Sequence, residues 1–188
     1  MSRIRTFLAV DLSNEIRAEL VGLQDRLART GVEIKWTDPE NLHITLIFLG
    51  EVEDREIPRV CRIAQDIVAR RPAFRLTVSG VGCFPHPRRP RIVWAGIGAG
   101  STELVEIHDA LETPLLELGY RREERRFTPH ITLGRVKGDF STDRLATVLA
   151  KLADWQGGEM AASELLVMSS ELTREGPIYT VLGRAPLA

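Results

Sequence analysis

The tetrapeptide His43-Ile-Thr-Leu46 occurs again 87 positions later (130 − 43) as His130-Ile-Thr-Leu133. Each copy lies in an apolar, β-branched stretch of the kind that is typical of a β-strand. Because side chains alternate along a strand, the histidine and the threonine of each copy share one face, and the two aliphatic residues share the other. We therefore expect both aliphatic faces to be buried and two imidazoles and two hydroxyls to meet at a common surface.

The rest of the chain follows the same offset. Apolar strands and amphipathic helices alternate twice as β-α-β-α-β, and strand residues 7–10 and 74–79 map onto 94–97 and 161–166. This pattern predicts an α+β fold with two pseudo-symmetric repeats whose antiparallel sheets face a central cleft. We predict a single bilobal domain spanning 1–188, with approximate repeats at 4–85 and 91–173 and a final strand at 178–182.

The segment between the repeats and the arrangement of the central strands can also be predicted. The three prolines between Phe84 and Pro90 predict a stiff loop without regular structure between the repeats. The equivalent central strands are expected to lie across the cleft from each other, about a pseudo-two-fold axis.

The composition is that of an ordinary globular protein. Of the 188 residues, 44% are hydrophobic and 27% are charged, with a formal net charge of −1, so any polyanion must bind to a local patch. The apolar run Thr6–Val10 stops at Asp11 and is too short for a signal peptide or a membrane span. Cys61 and Cys83 have no CxxC spacing and suggest a reducing compartment. We predict a cytoplasmic monomer that does not bind a membrane.

Five segments resemble the two-histidine (2H) phosphoesterases, and most closely their branch of RNA 2′,3′-cyclic phosphodiesterases, also called 2′-5′ RNA ligases. The segments cover nearly the whole chain: Arg5–Val10, Trp36–Glu51, Arg91–Trp94, Phe127–Arg135 and Ser169–Tyr179. The resemblance implies that both motifs line a central cleft. It also implies hydrolysis of the cyclic phosphate end of RNA to a 2′-phosphate without a metal or cofactor, and a bidirectional 2′-5′ ligase activity.

The two motifs supply the groups that such a reaction needs. Opening a cyclic phosphodiester requires a base for the attacking water and an acid for the departing ribose oxygen, and histidine suits both roles near neutral pH. We assign His43 as the acid and His130 as the base, although the near-symmetry of the motifs leaves this order open. Thr45 and Thr132 are expected to donate hydrogen bonds to the non-bridging phosphate oxygens.

The fifth residue after each histidine is Phe48 in the first copy and Arg135 in the second. Strict alternation would turn this position away from the histidine, but Gly134 permits a bulge that would bring Arg135 round. The resemblance implies that Arg135 binds the phosphate. For Phe48 we favour a core position over base stacking, and the resemblance places Tyr179 near the cleft as a further candidate substrate contact.

Three other functions stay open at this point. The first is a phosphodiesterase that acts on a small substrate, such as a nucleoside 2′,3′-cyclic phosphate or a cyclic phosphate of ADP-ribose. The second is a nucleotide- or RNA-binding module without turnover, which two intact histidine motifs argue against. The third, a metalloenzyme, fits least, because two histidines without a further ligand at metal spacing fall short of a metal site.

Overall fold

The structure, a computed structural model, describes residues 2–87, 89–121, 126–138 and 143–188. Within these ranges the chain forms nine β-strands and four α-helices. The strands are β1 (Arg3–Val10), β2 (Ile34–Trp36), β3 (Ile44–Glu53), β4 (Phe74–His86), β5 (Arg89–Ile97), β6 (His130–Val136), β7 (Gln156–Ala162), β8 (Glu164–Leu172) and β9 (Pro177–Pro186). The helices are α1 (Asn14–Ala28), α2 (Ile57–Val68), α3 (Ser101–Glu117) and α4 (Asp143–Lys151).

All nine strands belong to one antiparallel sheet in the order β7-β4-β5-β6-β3-β1-β8-β9, with β2 added beside β6. At its centre β3 and β6 meet at the pair Ile44–Ile131, which occupies equivalent positions in the two tetrapeptides. The pseudo-two-fold axis therefore passes through this pair. The predicted α+β class with two repeats is confirmed, but the central strands are neighbours at the cleft floor rather than opposite walls.

The pair Ile44–Ile131 divides the sheet into a first lobe (β3, β1, β8 and β9) and a second lobe (β6, β5, β4 and β7). The last strand of each repeat crosses into the other lobe. Strand β4, from the first repeat, pairs with β5, and β8, from the second repeat, pairs with β1. The helices are shared in the same way, since α2 and α3 pack on the first lobe while α1 and α4 pack on the second.

The helices bury the apolar stripes that the sequence predicts. Ser13 caps α1 by accepting a hydrogen bond from the Ile16 amide at 3.3 Å, and the side chains on its inner face are almost fully buried: Ile16, Leu20, Leu23 and Leu27. Helix α3 likewise buries Leu104, Ile107, Leu111 and Leu115. None of the helices within the described residues is long and apolar enough to span a bilayer.

The predicted loop at 84–90 is wrong, because β4 continues to His86 and β5 begins at Arg89. Pro85 and Pro90 are opposite each other in this hairpin, and the Phe84–Pro85 peptide is cis. Proline is tolerated here because the other neighbour of β4, β7, pairs with residues Phe74–Ser79 alone, which leaves one side of the strand without a partner strand at Pro85. Position 88 lies outside the described residues.

Candidate active site

A β-bulge recurs at the same position in both repeats. Between β3 and β1 the extra residue is Leu46, and between β6 and β5 it is Leu133, each the third residue after its histidine. One extra residue reverses the alternation of side chains along a strand. Phe48 and Arg135 therefore lie on the same face as the histidine and threonine that precede them.

Gly134 serves a different purpose from the one that its position in the sequence suggested. The first repeat forms its bulge without a glycine, so the bulge does not require one. A Cβ atom at Gly134 would lie 2.6 Å from Ile34 Cγ2 and 2.8 Å from the Lys35 carbonyl oxygen. Gly134 thus allows the short strand β2 to approach β6 closely.

The face shared by both motifs opens into a cleft of about 630 Å³ at the junction of the two lobes. The antiparallel pair Ile44–Ile131 sets His43 beside Thr132 and His130 beside Thr45, so that the four groups meet around the pseudo-two-fold axis. The seven residues singled out in the sequence all line the cleft: His43, Thr45, Phe48, His130, Thr132, Arg135 and Tyr179. Phe48 is 39% exposed, which makes its expected core position wrong.

Both imidazoles are held in the same way. His43 Nδ1 lies 2.7 Å from the Asn41 carbonyl oxygen, and His130 Nδ1 lies 2.7 Å from the Thr128 carbonyl oxygen. A carbonyl can only accept, so Nδ1 carries a proton in each ring and Nε2 is left to act on a ligand. His43 Nε2 lies 2.8 Å from Thr45 Oγ1, whose hydroxyl donates to it when the ring is neutral.

Each imidazole also packs against two aromatic rings. Phe7 and Tyr179 lie 4.9 Å and 5.3 Å from His43, measured between ring centroids, and Tyr179 meets it edge-on at 88°. Phe84 and Trp94 lie 5.1 Å and 6.4 Å from His130, and Phe84 meets it edge-on at 85°. These rings restrict the rotation of the imidazoles.

Sequence reasoning missed Phe7 and Trp94, although a signal for them was present. They are separated by 87 positions, as the histidines are, and both are aromatic. It also missed Arg5 and Lys35, which line the cleft with Arg135. Arg5 precedes Phe7 by two residues and so shares its face of β1.

Burial and charge set the protonation of two cleft residues. Burial lowers the pKa of His43, while the hydrogen bond to Asn41 and the charge of Asp11 oppose this change. The neutral ring is therefore favoured in the free site. Burial raises the pKa of Tyr179, and Arg5 and Arg135 oppose that change. The Tyr179 phenol thus carries its proton at neutral pH and can donate a hydrogen bond.

Within the described ranges, no three side chains of His, Cys, Asp or Glu are grouped so that they could hold a metal ion. The cleft instead presents three cationic side chains, Arg5, Lys35 and Arg135, next to the two imidazoles and two hydroxyls. Such a set is suited to bind phosphate groups and to move protons on either side of the one that lies between the imidazoles.

Comparison with known proteins gives a consistent result. The family described as LigT like Phosphoesterase matches residues 10–94 and again 97–179, two ranges that begin 87 positions apart. The chain is 40% identical over 164 residues to the RNA 2′,3′-cyclic phosphodiesterase of Aeropyrum pernix, covering 87% of this chain and 92% of the relative. It is 37% identical over 178 residues to the protein of that name from Methanothermobacter thermautotrophicus, covering 95% and 96%. The crystal structure of E. coli LigT complexed with 3′-AMP matches with a TM-score of 0.81 at 26% identity, covering 100% and 99% of the two chains.

Proposed function

This chain belongs to the LigT-like phosphoesterase family, and we propose that it hydrolyses 2′,3′-cyclic phosphate ends of RNA to 2′-phosphates by acid–base catalysis between His43 and His130. The names of relatives at 37–40% identity support the reaction class. One observation carries the proposal that the two histidines act as an acid–base pair. Both imidazoles line one cleft, and in each Nδ1 is bonded to a backbone carbonyl so that Nε2 is left for the substrate.

The reaction needs one proton transfer on each side of phosphorus. In the proposed mechanism His130 Nε2 takes a proton from the attacking water, whose oxygen bonds to phosphorus. The bond from phosphorus to the ribose 3′-oxygen breaks, and His43 Nε2 donates a proton to that oxygen. The products are a 3′-hydroxyl and a 2′-phosphate. Replacing the water by the 5′-hydroxyl of a second RNA strand gives the 2′-5′ ligation in the same site.

The acid role of His43 depends on the substrate, since burial lowers its pKa in the free site. A bound cyclic phosphate carries one negative charge, which favours the protonated imidazole. Once Nε2 carries a proton, it no longer accepts from Thr45, and the Thr45 hydroxyl becomes free to donate to a phosphate oxygen. Thr132 and Arg135 complete the set of donors around the phosphate.

Metal independence is part of the proposal, because the two imidazoles supply both proton transfers, and Thr45, Thr132 and Arg135 bind the reacting phosphate. We would measure turnover of a short RNA ending in a 2′,3′-cyclic phosphate in the presence of EDTA. The product would be identified by its sensitivity to phosphatase and by 3′-end ligation after that treatment. His43→Ala and His130→Ala should each lower kcat about 10²- to 10⁴-fold with unchanged circular dichroism.

Four outcomes would each contradict a part of the proposal. Wild-type turnover in either histidine variant would remove the acid–base assignment. Loss of activity in EDTA, restored by a divalent ion, would show that a metal takes part. Nucleotide binding without any turnover would identify a binding module. A 3′-phosphate product would keep the reaction class but show that the 2′-oxygen leaves.

A further inference from the structure

Arg5 occupies a place in the cleft that has no counterpart in the second repeat. Its guanidinium carbon lies 4.7 Å from the centroid of the Phe48 ring, which is a cation–π contact. An offset of 87 turns Arg5 into Ile92 and Phe48 into Arg135. Each repeat thus supplies one arginine to this layer of the cleft, but from a different strand, so the two arginines are not related by the pseudo-two-fold axis.

This asymmetry separates the tasks of the two arginines. Arg135 follows Thr132 on the same strand and the same face, which suits it to the phosphate that reacts. Arg5 lines the cleft from β1, where its guanidinium lies over the exposed Phe48 ring. A guanidinium that lies over a ring forms no hydrogen bond with it and keeps its N–H donors available for a second anion.

A second groove adjoins the cleft at Phe48. Phe48 lines both the cleft and this groove, which has a volume of about 800 Å³ and lies between the end of β3, the start of α2 and the end of α3. Arg3 lines the groove but not the cleft, and Arg5 lines the cleft but not the groove. Arg3 and Arg5 share one face of β1, and their Cα atoms are about 7 Å apart. This spacing is comparable with that of neighbouring phosphates in an extended RNA strand.

Without Arg3, the groove has one anionic residue more than it has cationic residues. Its other cationic residues are Arg55, Arg59 and Arg121, and its anionic residues are Glu51, Glu53, Glu56 and Glu117. Arg55 forms an ion pair with Glu53 at 2.8 Å, and Arg59 lies 3.9 Å from Glu56. The groove is electrically neutral once Arg3 is counted. Glu53, the residue opposite Arg3 on β3, is already neutralised by Arg55, so Arg3 and Arg5 offer a polyanion a path along β1.

We propose that the RNA strand leading to the cyclic end leaves the cleft past Phe48 and follows β1, with Arg5 and Arg3 binding the first and second phosphodiesters upstream of the terminal nucleotide. This inference rests on the proposed function and specifies its substrate as an RNA chain rather than a cyclic mononucleotide. Arg5 and Arg3 are positioning residues for the strand and take no part in proton transfer.

A substrate series with one added phosphodiester at each step tests the proposal. The substrates are a nucleoside 2′,3′-cyclic phosphate without a 5′-phosphate, the dinucleotide and the trinucleotide, each with the same terminal nucleoside. For the wild type, kcat/KM should rise at each step. Arg5→Gln should lower kcat/KM about tenfold for the dinucleotide and less than twofold for the mononucleotide. Arg3→Gln should lower it about tenfold for the trinucleotide alone.

Arg75→Gln is the matched control, because Arg75 is an exposed arginine on β4 that pairs with Glu159 and lines neither cavity. It should leave all three values of kcat/KM within twofold of the wild type. On the trinucleotide, each of the two test variants should also reduce the slope of log(kcat/KM) against log[salt] by about 0.7, the value for one phosphate contact on a single strand. Thermal melts confirm that each variant is folded.

The outcomes separate this inference from the proposed function. If the wild type turns over none of the substrates, the proposed function fails. If it turns over the mononucleotide and the trinucleotide with equal kcat/KM, the function stands and the strand path is wrong. A Gln variant of Arg5 that lowers all three values equally would show that Arg5 binds the reacting phosphate, and unchanged values in both variants would also overturn the path.

Discussion

Gly82 on β4 supports the indole of Trp94, and a methyl group added there tests whether that ring positions His130. A Cβ atom at Gly82 would lie 2.3 Å from Trp94 Cζ2 and 2.5 Å from Cη2, whereas ordinary contacts begin near 3.4 Å. Gly82→Ala therefore forces the ring to move by about 1 Å. Overpacking of this kind costs about 1–3 kcal/mol, which lowers Tm by roughly 2–12 °C in a chain of this length.

The displaced indole contacts the His130 imidazole both directly and through the ring of Phe84. Trp94 lies 5.2 Å from Phe84 and 6.4 Å from His130, and Phe84 lies 5.1 Å from His130. A shift of 1 Å in a catalytic group lowers the rate by as much as 10²-fold. We expect Gly82→Ala to reduce kcat by about 10- to 100-fold, with a smaller change in KM, when RNA cyclic phosphate turnover is measured well below the melting temperature.

Two further variants complete this test. Trp94→Phe removes the indole atoms that a Cβ at Gly82 would contact. No hydrogen bond is lost, because Trp94 Nε1 is buried without a partner among the described residues. The double variant should recover much of the kcat that Gly82→Ala loses. Gly22→Ala, on the exposed side of α1 with no atom within 4 Å, should leave kcat unchanged and stabilise the fold by about 0.5–1 kcal/mol. A normal kcat in folded Gly82→Ala would refute the positioning role of Trp94.

Two predictions concern stability. Burial lowers the pKa of His43 in the folded chain, so the unfolded chain binds a proton first as the pH falls. The free energy of unfolding of the wild type should therefore decrease below about pH 6.5. The stability of His43→Gln should depend less on pH in this range. Parallel pH dependences of Tm in the two proteins would contradict this. Gly134→Ala would place a Cβ 2.8 Å from the Lys35 carbonyl oxygen. We expect β2 to lose its pairing with β6, measured by amide exchange at Lys35. The free energy of unfolding should fall by about 1–3 kcal/mol, measured by urea unfolding. Protection of that amide equal to the wild type would show that the strand adapts.

The sequence predicted the features that depend on local pattern. The repeat, the strand faces of His43 and His130 and the buried stripes of the helices follow from periodicity and from one offset. The β-α-β-α-β pattern did not include β2 or β7, and residues 161–166 cover the end of β7 and the start of β8 rather than one strand. The bulges at Leu46 and Leu133 were harder to predict, since a change in side-chain alternation depends on the neighbouring strand. The position of Phe48 in the cleft was missed for that reason.

Long-range features were not accessible from the sequence. The offset of 87 is the same whether the last strand of a repeat pairs within its own lobe or crosses to the other. The sequence pattern therefore could not predict the exchange of β4 and β8. Strand β7 contains Gly157 and Gly158, which carry little strand propensity, and it forms because β4 offers it a partner. The contact between Arg5 and Phe48 joins two strands and is likewise invisible along the chain.

The exchange of β4 and β8 bears on how such a protein could arise. A lobe built from a single repeat would lack the strand that the other repeat supplies, and its unpaired strand edges would be exposed to solvent. Two identical copies could remedy this by swapping that strand, and the resulting homodimer would carry one histidine from each subunit across a true symmetry axis. Gene fusion would then have preserved the shared centre while freeing the halves to diverge. On this view the cation–π contact between Arg5 and Phe48 is a specialisation of one half, because the 87-residue offset gives Ile92 and Arg135 in the other half. A symmetric ancestor could not have possessed it.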